Sequence, residues 1–220
     1  MSSPLVNENK RKFLPAAGRD VFLPLYDPIV SLMGVSRARD ELIKQANIKA
    51  DQQILDLGCG TGTLMVLMKR KYPSARVFGI DPDENALHRA KAKARRGAVS
   101  VQLDEGFADE LPYKEASFDR VISSFMFHHL EDAGREKTLA EVLRVLKPGG
   151  SFHLLDFIPR ESDGFLARVF NSHASLNDNS GPRILRMMQQ VGFRNEAQVK
   201  EADMLFGLLR IAYFQGERTT

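Results

Sequence analysis

Residues 54–62 read ILDLGCGTG: an apolar run carrying one acid, Asp56, gives way to glycine at every second position, Gly58, Gly60 and Gly62. With ILDL on a strand and GCGTG in the turn before a helix, the missing side chains let the main chain turn tightly and approach a ligand at the strand's C-terminal end. A phosphate-binding loop of the form G-x-x-x-x-G-K-[ST] does not fit, because Thr63 follows Gly62 and the next lysine is Lys69. A dinucleotide turn would carry a third glycine where Thr63 stands, so a pyrophosphate seat is disfavoured as well. A nucleoside without phosphates fits better. The next strand ends in FGIDPD, which places Asp81, 25 positions after Asp56, at a strand tip where a carboxylate can accept both hydroxyls of a ribose.

Outward from this turn the chain alternates. Residues 53–57, 76–80, 99–103, 120–124 and 152–157 read as strands, and 64–72, 84–95 and 135–146 as the helices between them. An amphipathic helix over 36–47 leads in, with Ala38, Leu42, Ile43 and Ala46 on one stripe. Strand and helix in repeated alternation give an α/β fold, a parallel sheet with helices on both faces. LKPGG, residues 146–150, is a helix stop ahead of the fifth strand. A helix over 184–191 ends at Gly192, and residues 193–199 and 205–214 read as closing strands. Two segments break the rhythm. Residues 1–35, interrupted by Pro24 and Pro28, read as a flexible tail and lid, and about 158–183 as a substrate-side insertion with a short helix near 165–170; the rest, 36–220, is one domain.

Composition narrows the chemistry. A single cysteine, Cys59, among 220 residues excludes an internal disulfide framework and a thiolate zinc site and favours a reducing compartment. The net charge of +3 and pI near 9.0 select no partner. The first residues lack the apolar core of a secretory signal and no apolar run is long enough to span a bilayer, so the expectation is a cytoplasmic protein. HRAKAKARR, residues 88–96, reads as an amphipathic helix with its charges in solvent rather than as a nucleic-acid footprint. Nucleic acid is not an expected partner, a membrane surface is not required, and oligomeric state is not written in the chain.

These blocks resemble the class I S-adenosylmethionine-dependent methyltransferases. The resemblance runs in order from ILDLGCGTG and FGIDPD through LPYKEASFDRVISS (111–124) and FHHL (127–130) to RVLKPGG (144–150), about residues 36–157. Within the family, YDPI (26–29) is similar to the N-terminal Tyr-Asp segment of the ubiquinone/menaquinone biosynthesis C-methyltransferases. The resemblance implies a Rossmann-like, doubly wound sheet of seven strands, mostly parallel with one antiparallel strand near the C-terminus. It also implies S-adenosyl-L-methionine as cofactor, leaving as S-adenosyl-L-homocysteine, and a small-molecule methyl acceptor. Carried onto this sequence, Gly58 and Gly60 pack on the methionine part, Asp56 lies near its amino group and Asp81 holds the ribose, with Tyr26, Cys59, Pro82, Phe107, Ala108 and Ser123 completing the cofactor site. Phe107 departs from the pattern. It stands where relatives carry an Asp for the adenine amino group, so adenine is held by stacking and main chain, or Asp104 or Asp109 takes over as acceptor.

His128 and His129, just past the fourth strand, and Asp156, near the end of the fifth, are the candidate catalytic residues, at the sheet edge where ligands bind. Helix capping and packing are the competing roles for these three. His153 and His173 read as structural or exposed. No metal is required, because transfer from a sulfonium rests mainly on aligning the acceptor in a dry pocket.

Overall fold

The computed structural model describes residues 34–159, 179–204, 207 and 209–219. Its elements are α1 (Val35–Gln45), β1 (Gln53–Leu57), α2 (Thr63–Lys71), β2 (Arg76–Asp81), α3 (Glu84–Arg96), β3 (Gln102–Glu105), β4 (Phe118–Ser124), a 3-10 turn (Phe127–His129), α4 (Asp132–Val145), β5 (Leu146–Ile158), α5 (Gly181–Val191), β6 (Arg194–Met204) and β7 (Leu209–Glu217). Tyr26, His173, the expected lid and most of the expected insertion with its short helix lie outside the described residues.

The seven strands form one sheet in the order β3-β2-β1-β4-β5-β7-β6. Pairings from β3 to β5 are parallel, while β7 runs antiparallel to both β5 and β6. The doubly wound sheet with one antiparallel strand near the C-terminus is therefore as expected. Strand order reverses between β1 and β4, and the crevice beyond their C-terminal ends is where such sheets bind ligands. Both faces are covered. Leu55 and Leu57 of β1 join one apolar cluster with Leu139, Val142, Ile184 and Met188 of α4 and α5. Ile54 faces the other way, with Val35, Ala38, Leu42 and Ile43 of α1 and Leu64, Met65 and Met68 of α2. This double burial is why ILDL reads as a nearly unbroken apolar run.

Several boundaries differ from the sequence expectation for local reasons. The third strand begins at Gln102 rather than Val99, because the chain leaving α3 turns through Ala98, at φ 51°, with the Val99 amide bonded back to Ala94. LKPGG does stop α4, but it already belongs to β5: Leu146 pairs with Phe118, and the register slips before Ser151 pairs with Arg120. The closing strands extend farther than their apolar runs, β6 to Met204 and β7 to Glu217.

His153 is buried on β5, with Nε2 2.9 Å from Ser151 Oγ and Nδ1 3.3 Å from Gln45 Nε2 of α1. Burial, helped by the nearby positive charge of Arg120, pushes its pKa down to about 3. The unfolded chain takes up this proton near pH 6.5 and the folded one does not, so the neutral ring's contribution is complete above pH 6.5 and is lost as pH falls toward 3. Denaturant melts of wild type and His153→Gln between pH 7 and 4 should show the wild type losing stability more steeply, by up to about 1.4 kcal/mol per pH unit. Parallel pH profiles would contradict this.

Candidate functional site

The three glycines of the β1–α2 turn all have positive φ, 70°, 50° and 74° for Gly58, Gly60 and Gly62, but they face different things. A Cβ on Gly58 would stand 2.4 Å from Met126 Cγ, and one on Gly62 2.8 Å from Ala90 Cβ of α3. These two glycines admit neighbouring protein. Among the described residues only Gly60 of the three faces open space, with no atom within 4 Å of its missing Cβ. Its side of the turn is open to a ligand, while the Cβ positions of Gly58 and Gly62 are taken by neighbouring protein. Cys59 is buried beneath the turn, and burial raises its thiol pKa well above the ordinary value, so it packs as a small apolar group.

Main chain and side chains fix the turn. The amides of Gly58 and Cys59 both donate to Ile80 O at 3.0 Å, and Gly60 N donates to Asp81 Oδ2 at 2.8 Å. Asp81 Oδ1 accepts from Asp83 N at 3.0 Å, so each carboxylate oxygen keeps a lone pair for a ligand. Burial raises the Asp81 pKa, an effect that the two amides oppose. From behind, Lys93 Nζ reaches Thr61 Oγ1 at 3.0 Å and Thr63 Oγ1 at 2.5 Å. That lysine clamps the turn, unlike the solvated cation expected on the open face of α3; His88 does stay exposed, beside Glu84.

Asp56 is 1% exposed, and neither carboxylate oxygen has a hydrogen-bond partner among the described residues. Desolvation pushes its pKa up to about 7, with Asp81 adding to the rise and Arg39 pulling the other way. A buried carboxylate left unpaired is costly, and a cationic ligand group relieves that cost.

The adenine-side candidates surround the tips of β2 and β3. Gly106 N donates to Asp81 O, and Pro82, Phe107 and Ala108 are half-buried beside it. Asp104 accepts from Tyr113 Oη at 2.9 Å and from Gln102 Nε2 at 3.1 Å, which ties it into the wall. Ser123 lies inside the sheet, fully buried, with its hydroxyl donating to Leu57 O at 2.9 Å. Its hydroxyl is thus engaged by β1.

Across the crevice, β4 and β5 bring His128 and Asp156 together. His128 Nδ1 lies 2.5 Å from Asp156 Oδ1, and the His128 amide donates to Asp156 Oδ2 at 2.8 Å. Phe157 N also donates to Oδ1, so the fully buried carboxylate is well supplied with donors. An Nδ1–H held on a carboxylate leaves Nε2 as the ring's basic nitrogen, the arrangement that suits a proton acceptor. The His129 ring stacks 4.0 Å from that of His128, and desolvation with the neighbouring imidazole lowers its pKa to about 4. Among the described residues no carboxylate pairs with His129, so the histidine–carboxylate geometry singles out His128.

The sequence reading missed two aromatic residues beside this pair. Phe157 meets the His128 ring edge-on at 5.4 Å, and Phe125 lies 4.8 Å from Phe157 at 39°. Phe125 has φ 58°, a left-handed conformation that a bulky residue rarely adopts and that concentrates at functional sites.

The methyltransferase domain family model matches residues 54–150. A demethylmenaquinone methyltransferase of Deinococcus radiodurans is 32% identical over 197 residues, covering 78% of this chain and 81% of the relative. The chain belongs to the class I S-adenosylmethionine-dependent methyltransferases, in the ubiquinone/menaquinone group. The enzyme of the same description from Thermus thermophilus is 37% identical over 154 residues, 67% of this chain and 68% of that one. Among solved structures, YcgJ from Bacillus subtilis superposes with TM-score 0.70 at 20% identity, covering 84% of this chain and 99% of that one. A Haemonchus contortus phosphoethanolamine N-methyltransferase in complex with S-adenosyl-L-methionine also gives 0.70, at 17% identity, covering 84% and 53%. This methyltransferase thus takes S-adenosylmethionine as cofactor and a small molecule as acceptor. Among its described residues no helix is long and apolar enough to cross a membrane, and no three of His, Cys, Asp and Glu are grouped to hold a metal.

Proposed function

We propose that this methyltransferase methylates a ring carbon of a demethylated quinol, with His128 as the base and Asp156 holding it. The observation that carries this reading is the His128–Asp156 pair beside the aromatic surface of Phe125 and Phe157. The Deinococcus and Thermus relatives, both demethylmenaquinone methyltransferases, point to the same acceptor class.

The cofactor assignments follow from what each residue offers. Gly60 gives the close approach, Asp56 a buried negative charge for the α-amino group, and the free lone pairs of Asp81 acceptors for the ribose hydroxyls. Phe107 and Ala108 border the adenine side, where Phe107 supplies a ring face in place of an acid. S-adenosylmethionine, when bound, supplies a methyl group on a sulfonium and departs as the neutral thioether. The protein's part is alignment and proton management.

The acceptor is the reduced quinol, because a methyl cation needs an electron-rich ring carbon and the quinone ring is electron-poor; exchanging that carbon's proton for the methyl group leaves the oxidation level unchanged. His128 Nε2 takes the proton of a ring hydroxyl, which raises electron density on the adjacent carbon as the new carbon–carbon bond forms. The carbon then loses its hydrogen as a proton, the hydroxyl is restored, and one proton leaves to solvent. Asp156 keeps Nδ1–H in place and stabilises the imidazolium. Phe125 and Phe157 offer stacking to a flat ring.

Calorimetric titration of the protein saturated with S-adenosylhomocysteine tests the acceptor class. An anaerobic naphthohydroquinone should bind several-fold tighter than its ring-saturated diol, and Phe157→Leu should narrow the gap. Equal binding of the two diols by wild type would refute an aromatic acceptor.

A further inference from the structure

Asn179 stands just ahead of α5, and its contacts place it beside the acceptor side of the crevice. α5 packs Ile184 and Met188 on the sheet face that carries Leu154 and Ile158, and strand alternation puts Asp156 between those two on the same face. The first turn of α5 is fastened to the first turn of α4, just past the His128 turn, by the ion pair of Arg183 with Asp132. Asn179 itself reaches the end of β5, where its Nδ2 donates to Phe157 O. Phe157 thus holds Asn179 through its carbonyl, while its amide donates to Asp156 Oδ1 and its ring meets that of His128.

The Asn179 side chain is fully buried, and its Oδ1 has no hydrogen-bond partner among the described residues. Turning the amide over would not relieve this, because Oδ1 would then face Phe157 O, an acceptor against an acceptor. A buried amide oxygen without a donor is costly, and a ligand hydroxyl that donates to it offsets the cost. Asn179 therefore offers an acceptor of fixed orientation within one residue's reach of the His128–Asp156 pair. With His128 Nε2 as the other acceptor, this end of the sheet matches a ligand that brings two hydroxyl donors. A ring diol is such a ligand, and its oxidised dicarbonyl form brings none.

We propose that Asn179 Oδ1 accepts a hydrogen bond from the second hydroxyl of the methyl acceptor, the one that His128 does not deprotonate, and so selects the reduced quinol over the quinone. Resting on the quinol acceptor proposed above, this adds a specificity-determining residue to it. Asn179 moves no proton. Discrimination arises because a carbonyl in the hydroxyl's place leaves the amide oxygen buried and unpaired.

Anaerobic calorimetry on the protein saturated with S-adenosylhomocysteine tests this with three probes: 1,4-naphthalenediol, 1-naphthol, which lacks the second hydroxyl, and 1,4-naphthoquinone. Wild type should bind the diol about 10- to 30-fold tighter than 1-naphthol and bind the quinone weakest. Asn179→Leu should weaken the diol by about the same factor, leave 1-naphthol within about two-fold and tighten the quinone. Asn179→Ala is the second variant, and circular dichroism melts check both folds. A merely distorted site would weaken diol and naphthol together. Equal changes for those two probes, no change in either variant, or a wild type that does not prefer the diol, would overturn the role of Asn179. Failure of wild type to bind any of the three would instead overturn the aromatic acceptor, and the role of Asn179 with it.

Discussion

His128→Ala is expected to lower kcat by about 10²- to 10⁴-fold while leaving the affinity for S-adenosylhomocysteine unchanged. The cofactor's proposed contacts lie on and just after β1, β2 and β3, whereas His128 follows β4 and is held by Asp156 of β5. Asp156→Asn should fall in the same range for a different reason. With its oxygen in the Oδ2 position an asparagine still accepts from the His128 amide, but it then turns an NH2 toward His128 Nδ1 and the Phe157 amide. The ring must accept there, its proton moves to Nε2, and the nitrogen facing the acceptor is no longer basic. The loss in both variants should shrink for acceptors whose hydroxyl is already ionised at the assay pH. Single-turnover kinetics on a demethylated quinol measure this, and a wild-type rate in either variant would remove the pair from catalysis.

Asp81→Ala should weaken S-adenosylhomocysteine by about 1.5 to 3 kcal/mol, roughly 10- to 150-fold, with the chain still folded. Two losses combine: the acceptors proposed for the ribose hydroxyls, and the hydrogen bond from Gly60 N that shapes the turn. Asp81→Asn should fall between, since one amide oxygen can still hold Gly60 N. Titration calorimetry of the three proteins decides the matter, and equal affinities would refute the ribose role.

The fold was legible because the central strands, β1 and β5 above all, are buried on both faces, so strand and helix alternate in plain apolar blocks. What blurred were junctions ruled by main-chain geometry, such as the left-handed Ala98 that delays β3 and the slip that lets LKPGG pair as strand. The site was legible where chemistry sits at strand tips: Asp56, Gly60, Asp81, His128 and Asp156 all stand out as polar or bare residues ending apolar runs. The division of labour among the glycines was not, since Gly58 is bare to admit Met126, some 68 positions away in sequence. Phe125 looks like any apolar residue after a strand, and only its positive φ and its ring contact with Phe157 set it apart.

The central claim is that methyl transfer here goes to a ring carbon of a quinol under the control of His128. Its most direct test is the transfer of labelled methyl from S-adenosylmethionine to an anaerobic, short-tailed demethylated naphthoquinol, with the product analysed by mass spectrometry and carbon NMR. The expected result is one labelled carbon-bound methyl group per quinol, formed by wild type and lost in His128→Ala. Label on a hydroxyl oxygen, or no label in the quinol while an amine or non-aromatic acceptor is methylated, would contradict it.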